Sequence, residues 1–599
     1  MILRAAILVV LAMSLAAPAY ASGIPTIPPK PDGLDVSKPL PQPSPVVPQV
    51  FRVNDYAARP PGFRITGSEA VDIAAAQPAI RKLRQRYPQI RALPTISGLG
   101  LEAGYFFHWS VQFLVPGNDD KRARGEVELG PDGHIYEVTT GVDVGWPLVH
   151  GYSGVLGHEL NRPYIWLVLC LLFVLPFIDF RNPFRLLHLD LIALLAFGAS
   201  QFFFNLGKPW LSVPLVYPVL LYCTVRMIVA GFRPATRRTP LIPHIGNAML
   251  LTLLVVLLAA RGAFGVVGAQ PIDVGFAGAV GADRVAHGQE LYIDNRFHPD
   301  TYGPVNYLAY VPFELAFPYH GEPDILPSAK VATVAFDALM VLALFLLGRQ
   351  LRAGPPGTRL GLALALAWTA YPYTSLVIAS TTNDALVPLF VVAALLVLKS
   401  PAGRGGMLAL GTMVKFVPGL LVPPLAAGRR RIEPKHALIF GTAFAAVCVA
   451  VLLPVLPDGG VKEFWNTTLG FQLKRGSPLS IWGRHPDLSW LKTTVAVIVT
   501  AFAVAIAWWP RLRTTSQLAA LCGAILAASQ MGTGYWLYFY LVWFAPFMLI
   551  ASFNEHRDLG PTASQLTDTS DLVKPERISH PESVTATRSS IRTPSTPGR

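Results

Sequence analysis

The chain has 599 residues, of which 52% are hydrophobic and only 14% are charged. Soluble domains carry about 25% charged residues, so this composition excludes a string of ordinary soluble domains and indicates a polytopic membrane protein. The net charge of +13 does not indicate a nucleic-acid partner, because arginine and lysine sit mainly in short loops where they set membrane orientation. The cysteines all lie in apolar segments, which predicts neither a disulfide framework nor a metal cluster. They are Cys170, Cys223, Cys448 and Cys522.

Residues 1–21 combine Arg4, an apolar stretch and a small-x-small site that ends at Ala21. This pattern is typical of a secretory signal peptide, with an uncleaved anchor helix as the alternative. In both cases the residues that follow are predicted to be exported. Residues 22–49 are rich in proline and polar residues and predict a disordered linker.

Residues 50–160 predict a small exported α+β domain. Ser68 and Glu69 precede a helical pattern, which Pro78 can break. Three alternating segments separated by turn residues follow, and they predict an antiparallel meander. The arrangement resembles small domains of the PepSY type. It carries no nucleophile constellation, which favours binding or regulation over catalysis. The three segments are 105–115, 123–130 and 134–140.

Apolar runs of roughly 20 residues, long enough to cross a bilayer, recur from Tyr164 onward. We therefore predict about eleven transmembrane helices in residues 161–552, followed by a disordered cytoplasmic tail over 553–599. The predicted spans are 163–180, 187–204, 209–231, 243–266, 327–349, 360–380, 384–399, 436–456, 491–509, 515–531 and 536–552.

When the N-terminal domain is exported, the positively charged loops between these spans fall on the cytoplasmic side. This assignment places the acidic loop 267–326 and the loop 457–490 outside the cytoplasm. Segment 404–428 does not fit a single crossing, because it has arginines at both ends and Lys415 in its middle. A re-entrant pair of half-helices, broken by glycine and proline, brings both ends to the cytoplasm.

The exported loop from Pro271 to Leu326 concentrates carboxylates and tyrosines just outside a membrane span. A bundle that mostly faces lipid has little structural reason to keep them there. Acid–base chemistry or the binding of a polar substrate supplies a reason, so this loop is the predicted floor of an active site. Its members include Asp273, Asp283, Glu290, Asp294, Asp300, Tyr292, Tyr302, Tyr307 and Tyr310.

Asp273 follows the fourth span within the phrase DVGF, and HGQELY and DTYGP come later in the same loop. In this order the phrases resemble the first exported loop of polytopic GT-C glycosyltransferases, especially the polyprenyl-phosphate-sugar-dependent enzymes of family 87. The resemblance covers about residues 240–552 and implies a GT-C-like helical bundle. It also implies that Asp273 is the general base that activates the acceptor hydroxyl. The alternative is a carboxylate that only caps its helix.

Two further exported stretches carry the same resemblance. Asn383 and Asp384 match an Asn-Asp pair of the family, which implies contact with the sugar, whereas helix capping is the alternative. The phrase from Gln472 to Trp482 is similar to a family loop and implies Arg475 as a ligand of the donor phosphate. A plain interfacial arginine is the alternative there.

Ionisable residues at membrane depth are costly and by default indicate a site. Lys415 and Asp337 qualify. Lys415 could balance a lipid phosphate, or it could extend to the cytoplasmic headgroups. Asp283 and His287, four residues apart on a probable helix, predict a surface pair. The predicted substrate-binding set is Arg475, Gln472, Asp300, Tyr302, Asn383, Asp384, Lys415 and Arg484.

The sequence therefore predicts an all-α polytopic membrane protein with a small exported α+β domain. It would be an inverting hexosyltransferase of the bacterial inner membrane that uses polyprenyl-phosphate-linked mannose or another hexose and a glycolipid or glycan acceptor. Neither a nucleotide loop nor a metal-ligand spacing is present, so no cofactor is expected. A flippase of a lipid-linked glycan is the alternative, and it predicts an internal repeat with paired broken helices. A sensor leaves the carboxylate-rich loop unexplained.

Overall fold

A computed structural model of the chain describes residues 49–53, 55–98, 107–115, 123–144, 146, 160, 162–237, 239–292, 301–321 and 326–556. These residues belong to one compact unit. The predicted signal peptide and cytoplasmic tail lie outside the described residues. So do Asp294 and Asp300 of the exported loop.

The N-terminal domain is a five-stranded antiparallel sheet in sequence order, with two helices packed against it. Its core includes Trp109 and Val111, which alternate along one face of the third strand and are fully buried. The domain comprises β1 (Gln49–Arg52), α1 (Gly67–Ala75), α2 (Pro78–Arg86), β2 (Arg91–Gly98), β3 (Phe107–Leu114), β4 (Ala123–Leu129) and β5 (Ile135–Thr140).

The predicted three-stranded meander corresponds to β3, β4 and β5, whereas β1 and β2 were not predicted. Pro94 lies inside β2 and argues against a strand, because proline cannot donate to a sheet ladder. The structure accommodates Pro94 because β1 pairs only with Thr95–Gly98, so the proline lies beyond that pairing. The first helix is capped by Thr66 and Glu69 in a capping box, two residues earlier than Ser68 suggested. Pro78 begins α2, as the predicted break requires.

The membrane region is a bundle of helices that begins at Pro163. Its elements are α3 (Pro163–Val174), α4 (Leu186–Asn205), α5 (Pro209–Phe232), α6 (Asn247–Val267), α7 (Asp273–Ala286), α8 (Val305–Leu308), α9 (Val311–Ala316), α10 (Pro327–Leu351), α11 (Gly354–Ala370), α12 (Pro372–Ala379), α13 (Leu386–Leu396), α14 (Pro401–Thr412), α15 (Val422–Ala427), α16 (Pro434–Leu452), α17 (Gly460–Thr467), α18 (Leu469–Lys474), α19 (Ile481–Arg484), α20 (Ser489–Ala505), α21 (Thr515–Met531) and α22 (Leu541–Asn554).

Six of the described helices are long and apolar enough to cross a bilayer by themselves, and α11 with α12 gives a seventh if the bent pair counts as one span. The chain is therefore a multi-pass membrane protein. The predicted number of eleven spans is not confirmed, because several further apolar helices are shorter than a bilayer requires. These are Pro163–Phe177, Leu386–Leu396, Val417–Ala427 and Tyr538–Asn554.

Successive helices reverse direction, so their connections gather at two ends of the bundle. We call the end that holds Asp273 the site end and the opposite end the far end. Hydrogen bonds between connections hold each end together: Gln472 donates to Thr301 at the site end, and Arg359 donates to the carbonyl of Ile242 at the far end. The described site-end connections are 268–272, 301–304, 380–385, 413–416, 453–459 and 532–540.

The interior of the bundle is closely packed and holds a buried ion pair. A Cβ on Gly348 of α10 would lie 2.4 Å from the Cα of Gly361 in α11, so only glycine permits this approach. Arg261 donates to Asp337 over 2.9 Å, and the Trp368 indole donates to the same oxygen over 2.8 Å. Asp337 is therefore a member of a structural ion pair between α6 and α10.

Candidate active site

The turn between α12 and α13 forms the base of the site. Its five residues, 380–384, are all buried. Thr381 has a φ of +53°, which is unfavourable for a β-branched residue and marks a strained backbone. The start of α7 lies directly against this turn, because a Cβ on Gly275 would come within 2.5 Å of the Thr381 carbonyl oxygen.

Asp273 is the first residue of α7 and is held beside that turn. The backbone N–H of Gln270 donates to Ala379 over 2.9 Å, and that of Ile272 donates to Ser380 over 3.3 Å. The Asp273 side chain is exposed and accepts a hydrogen bond from the N–H of Val274 over 2.9 Å. Its negative charge suits the first turn of a helix. This position leaves the carboxylate accessible to a substrate.

Residues 401–427 form a hairpin whose tip carries Lys415 to the site end. The hairpin consists of α14, a tight turn and the short helical segments Val417–Leu421 and α15. Its two feet adjoin at the far end, where Arg404 donates to the carbonyl of Leu398 over 2.9 Å and to that of Ala426 over 3.1 Å. The positively charged residues at both ends of segment 404–428 predicted this pair of half-helices.

Lys415 is paired with Asp384 inside the bundle. The ammonium nitrogen lies 2.6 Å from Oδ1 of Asp384, and the indole of Trp543 donates to the same oxygen over 2.8 Å. Two expectations are therefore wrong. Lys415 does not extend to the far end, because a buried carboxylate compensates its charge. Asp384 does not cap α13, which begins at Leu386 without a side-chain cap.

Aromatic rings surround the Lys415 ammonium. The ring centroids of Tyr302, Trp543 and Tyr540 lie 5.5, 5.6 and 6.0 Å from it. Tyr302 is positioned by the Tyr292 hydroxyl, which donates to its carbonyl over 3.1 Å. These contacts assign the lysine a fixed location at the floor of the site.

Arg475 follows α18 and lies over the ring of Tyr535, with its guanidinium carbon 3.9 Å from the ring centroid. Such stacking orients the planar guanidinium and leaves its N–H groups for a phosphate or carboxylate. The charges of Asp273 and Arg475 also act on each other. Arg475 thus lies within electrostatic range of the exposed carboxylate.

The electrostatics of the tyrosines show that these groups form one cluster. Burial raises the pKa of Tyr535 to about 12, while Arg475 lowers this pKa and Asp273 raises it. Burial also raises the pKa of Tyr302 well above its usual range; Asp273, Tyr540 and Asp384 raise this pKa further, and Arg475 lowers it. Both phenols therefore remain protonated at neutral pH and can donate hydrogen bonds to a phosphate or sugar oxygen.

Two residues of the predicted substrate-binding set form hydrogen bonds with other residues of the chain. Asn383 is fully buried and donates its amide to Asn306 over 2.6 Å. Gln472 donates to the Thr301 hydroxyl over 2.9 Å. Both bonds tie the site-end connections to each other, which gives these residues a structural role whether or not a substrate also reaches them.

Arg484 is directed away from the cluster. Its guanidinium bonds both carboxylate oxygens of Asp143, over 2.8 and 3.3 Å, in the turn that follows β5. Arg484 thus holds the N-terminal domain against the bundle. Asp300 lies outside the described residues. The half-buried Asp283 pairs with the exposed His287 over 3.1 Å near the end of α7, as predicted.

Sequence reasoning missed the aromatic wall at the start of the last helix, which includes Tyr535, Tyr540 and Trp543. The run GYWLYFYLVW was visible, but tyrosine and tryptophan at this depth are equally typical of interfacial anchors. Lys492 was also missed. Its ammonium lies 2.9 Å from the position that a Cβ on Gly534 would occupy, next to the Arg475 carbonyl.

Comparison with known proteins gives one family. Residues 301–532 match the model of glycosyltransferase family 87, and no curated protein matches the chain. The matched segment includes Tyr302, Asp384, Lys415 and Arg475, whereas Asp273 and the aromatic wall lie outside it. The match confirms the family resemblance for that segment and supports a membrane glycosyltransferase. The PepSY resemblance of the N-terminal domain is not confirmed.

Proposed function

We propose that this chain transfers a hexose from a polyprenyl phosphate to a glycolipid or glycan. The starting point is the match of residues 301–532 to glycosyltransferase family 87. The site end would face the exterior of a bacterial inner membrane, together with the N-terminal domain. Mannose is the first sugar to test. The proposal requires no cofactor, because the donor carries its own leaving group.

The observation that carries the proposal is an accessible carboxylate within electrostatic range of an arginine that lies over a tyrosine ring. Asp273 is exposed, and within the described part of the chain its carboxylate accepts a hydrogen bond only from the neighbouring Val274 N–H. Arg475 lies on Tyr535 within range of the Asp273 charge. A base and a cation are the two groups that displacement of a phosphate by a hydroxyl needs.

The reaction follows from these two charges. Asp273 accepts the proton of the acceptor hydroxyl as its oxygen forms a bond to the anomeric carbon. The bond between that carbon and the phosphate oxygen breaks, and its electron pair leaves with the polyprenyl phosphate. Arg475 stabilises the charge that develops on the leaving phosphate through parallel hydrogen bonds. Attack from the face opposite the phosphate inverts the anomeric centre.

Lys415 plays a different part in this proposal. Asp384 and Trp543 hold it at the floor, so much of its charge is already compensated. It fixes Tyr302 and Tyr540 around itself, and these phenols line the space between the floor and Arg475. Lys415 thus acts as a positioning residue, with the tyrosines closer to the substrate.

The decisive test compares Asp273→Asn with Asp283→Asn, since both aspartates lie on α7. We expect Asp273→Asn to reduce sugar transfer at least about 100-fold, because asparagine cannot accept the proton. Asp283 is half-buried, pairs with His287 and lies about 15 Å further along the helix than Asp273, so Asp283→Asn should retain transfer. The measurement is the incorporation of labelled hexose from a polyprenyl-phosphate donor in membranes with matched protein levels.

The same membranes distinguish the flippase. Export of the lipid-linked substrate is followed in parallel with transfer. Normal export with lost transfer in Asp273→Asn supports the enzyme. If wild-type membranes export the lipid-linked glycan but show no transfer, the enzyme proposal is wrong and the flippase is favoured.

A further inference from the structure

A cluster of arginines lies at the far end of the bundle, remote from the candidate active site. Two short connections supply it, one between α15 and α16 and the other between α20 and α21. The connections pair as an antiparallel bridge in which Arg431 N–H donates to Arg511 over 3.1 Å and Arg513 N–H donates to Arg429 over 3.0 Å. The cluster consists of Arg429, Arg430, Arg431, Arg511 and Arg513.

The paired connections line an open cavity of about 460 Å³. Arg513 lines it and is only 4% exposed. Its terminal nitrogens donate to the carbonyls of Ile506 over 2.7 Å and Arg430 over 3.0 Å, while its Nε has no partner among the described residues. The cavity is lined by Arg429, Arg430, Leu512, Arg513, Thr514 and Gln517.

No carboxylate compensates this charge within the described part of the chain. The salt bridges found there include none of the five arginines, and the nearby Glu433 pairs with His436. The N-terminus of α21 at Thr514 adds the partial positive charge of a helix that is 17 residues long. A buried cation beside like charges is costly without an anion.

Membrane orientation alone does not explain this arrangement. Orientation requires arginines in the connection, but it does not require them to be paired across two connections or to line a cavity. Trp508, Trp509 and Leu512 are exposed beside the cluster. Exposed tryptophans of this kind lie at the level of lipid headgroups, so the cavity opens where phosphate groups are abundant.

We propose that this cavity binds a phosphate group, such as that of an anionic phospholipid headgroup. Arg429 and Arg430 contact the phosphate oxygens, with Arg513 and the first turn of α21 behind them. The acyl chains lie along Leu512 and the neighbouring tryptophans. The site is separate from glycosyl transfer, because the helix α16 of about 28 Å lies between the two ends.

The test uses full-length protein in detergent and follows its thermal unfolding. Phosphatidylglycerol is added and compared with phosphatidylcholine at constant ionic strength. We expect phosphatidylglycerol to raise the midpoint of wild-type protein by about 3 °C. This rise should be lost in Arg429→Gln/Arg430→Gln and reduced in Arg430→Gln alone, with apparent affinity weakened about tenfold.

The matched control is Arg233→Gln/Lys399→Gln, which removes two exposed cations from the far end without touching the cavity. It should keep the full response. Inorganic phosphate forms a second arm: a response that Arg429→Gln/Arg430→Gln abolishes identifies free phosphate as a ligand, whereas a response to phosphatidylglycerol alone identifies the lipid. Equal responses of wild type and Arg429→Gln/Arg430→Gln in both arms, or no response at all, overturn the proposal.

Discussion

Asp273 and Asp384 are carboxylates at the same end of the bundle, yet their surroundings give them opposite roles. Asp384 is 1% exposed, and its oxygen accepts from both Lys415 and Trp543. Asp273 is exposed and has only a neighbouring N–H on its carboxylate among the hydrogen bonds described. Only Asp273 is therefore free to accept a proton from a substrate.

The position of Arg475 over Tyr535 gives a specific prediction for binding of the donor phosphate. Arg475→Lys keeps the charge but loses the planar stack on Tyr535 and the paired hydrogen bonds. We expect the KM for the polyprenyl-phosphate donor to rise about tenfold, with a smaller change in the KM for the acceptor. Steady-state transfer assays with each substrate varied in turn measure both values.

Lys474→Gln is the control for this experiment, because Lys474 is the exposed neighbour of Arg475. It should leave both KM values unchanged. Equal effects of Arg475→Lys on donor and acceptor KM would show that the arginine does not bind the phosphate.

The sequence indicated which residues belong to the candidate site, but not which of them contact each other. Asp273, Tyr302, Asp384, Lys415 and Arg475 were all selected from the sequence, and the structure places them in one cluster. The Lys415–Asp384 pair could not be predicted, because the flanking charges indicate the face from which the hairpin enters but not how deep its tip reaches or which side chains it meets. The roles of these residues in substrate binding remain predictions.

At the scale of elements, the hairpin 401–427 shows how a broken helix delivers a charge to the site. Glycine and proline in this segment predicted the break, and the structure has it. The tip is held from two sides, since Val305 N–H donates to the Met413 carbonyl over 2.9 Å and Lys415 bonds Asp384. A Cβ on Gly303 would lie 2.2 Å from that same carbonyl oxygen, so glycine is required there.

Removal of one charge from the buried pair should destabilise the hairpin more than removal of both. Asp384→Asn alone leaves Lys415 buried without a counter-charge and should cost about 3 kcal/mol of stability. Asp384→Asn/Lys415→Met removes both charges and retains an acceptor for the Trp543 indole. We expect its thermal unfolding midpoint to lie above that of Asp384→Asn.

Thermal unfolding of the wild type, both single variants and the double variant in one detergent forms the complete comparison. Additive losses in Asp384→Asn and Lys415→Met would show that the two charges do not interact in the folded protein.

At the scale of the whole molecule, the N-terminal domain contacts the site through the residues that follow β5. Asp143 bonds Arg484, and Trp146 lies 6.1 Å from the ring of Tyr535, centroid to centroid. Tyr535 in turn supports Arg475. The sequence separated these parts into different domains, and their contact could not be predicted because it joins residues nearly 400 positions apart.

Trp146→Ala should reduce kcat/KM for sugar transfer about tenfold, because the cavity it leaves would loosen the Tyr535 ring under Arg475. Val142→Ala, an exposed position in the same connection, is the control and should have no effect. Transfer assays on purified protein measure both. Unchanged activity of Trp146→Ala would show that the N-terminal domain does not support the site.

The backbone bonds that join 270–272 to 379–380 have a consequence for acceptor choice. They fix Asp273 to the bundle, so a base at this position, as proposed above, stands at one height relative to the hydrocarbon layer. An acceptor anchored by its own lipid must then raise its reacting hydroxyl to that height and no further. Such an enzyme would therefore select its acceptors by the length of their glycan, counted in sugar units from the lipid anchor.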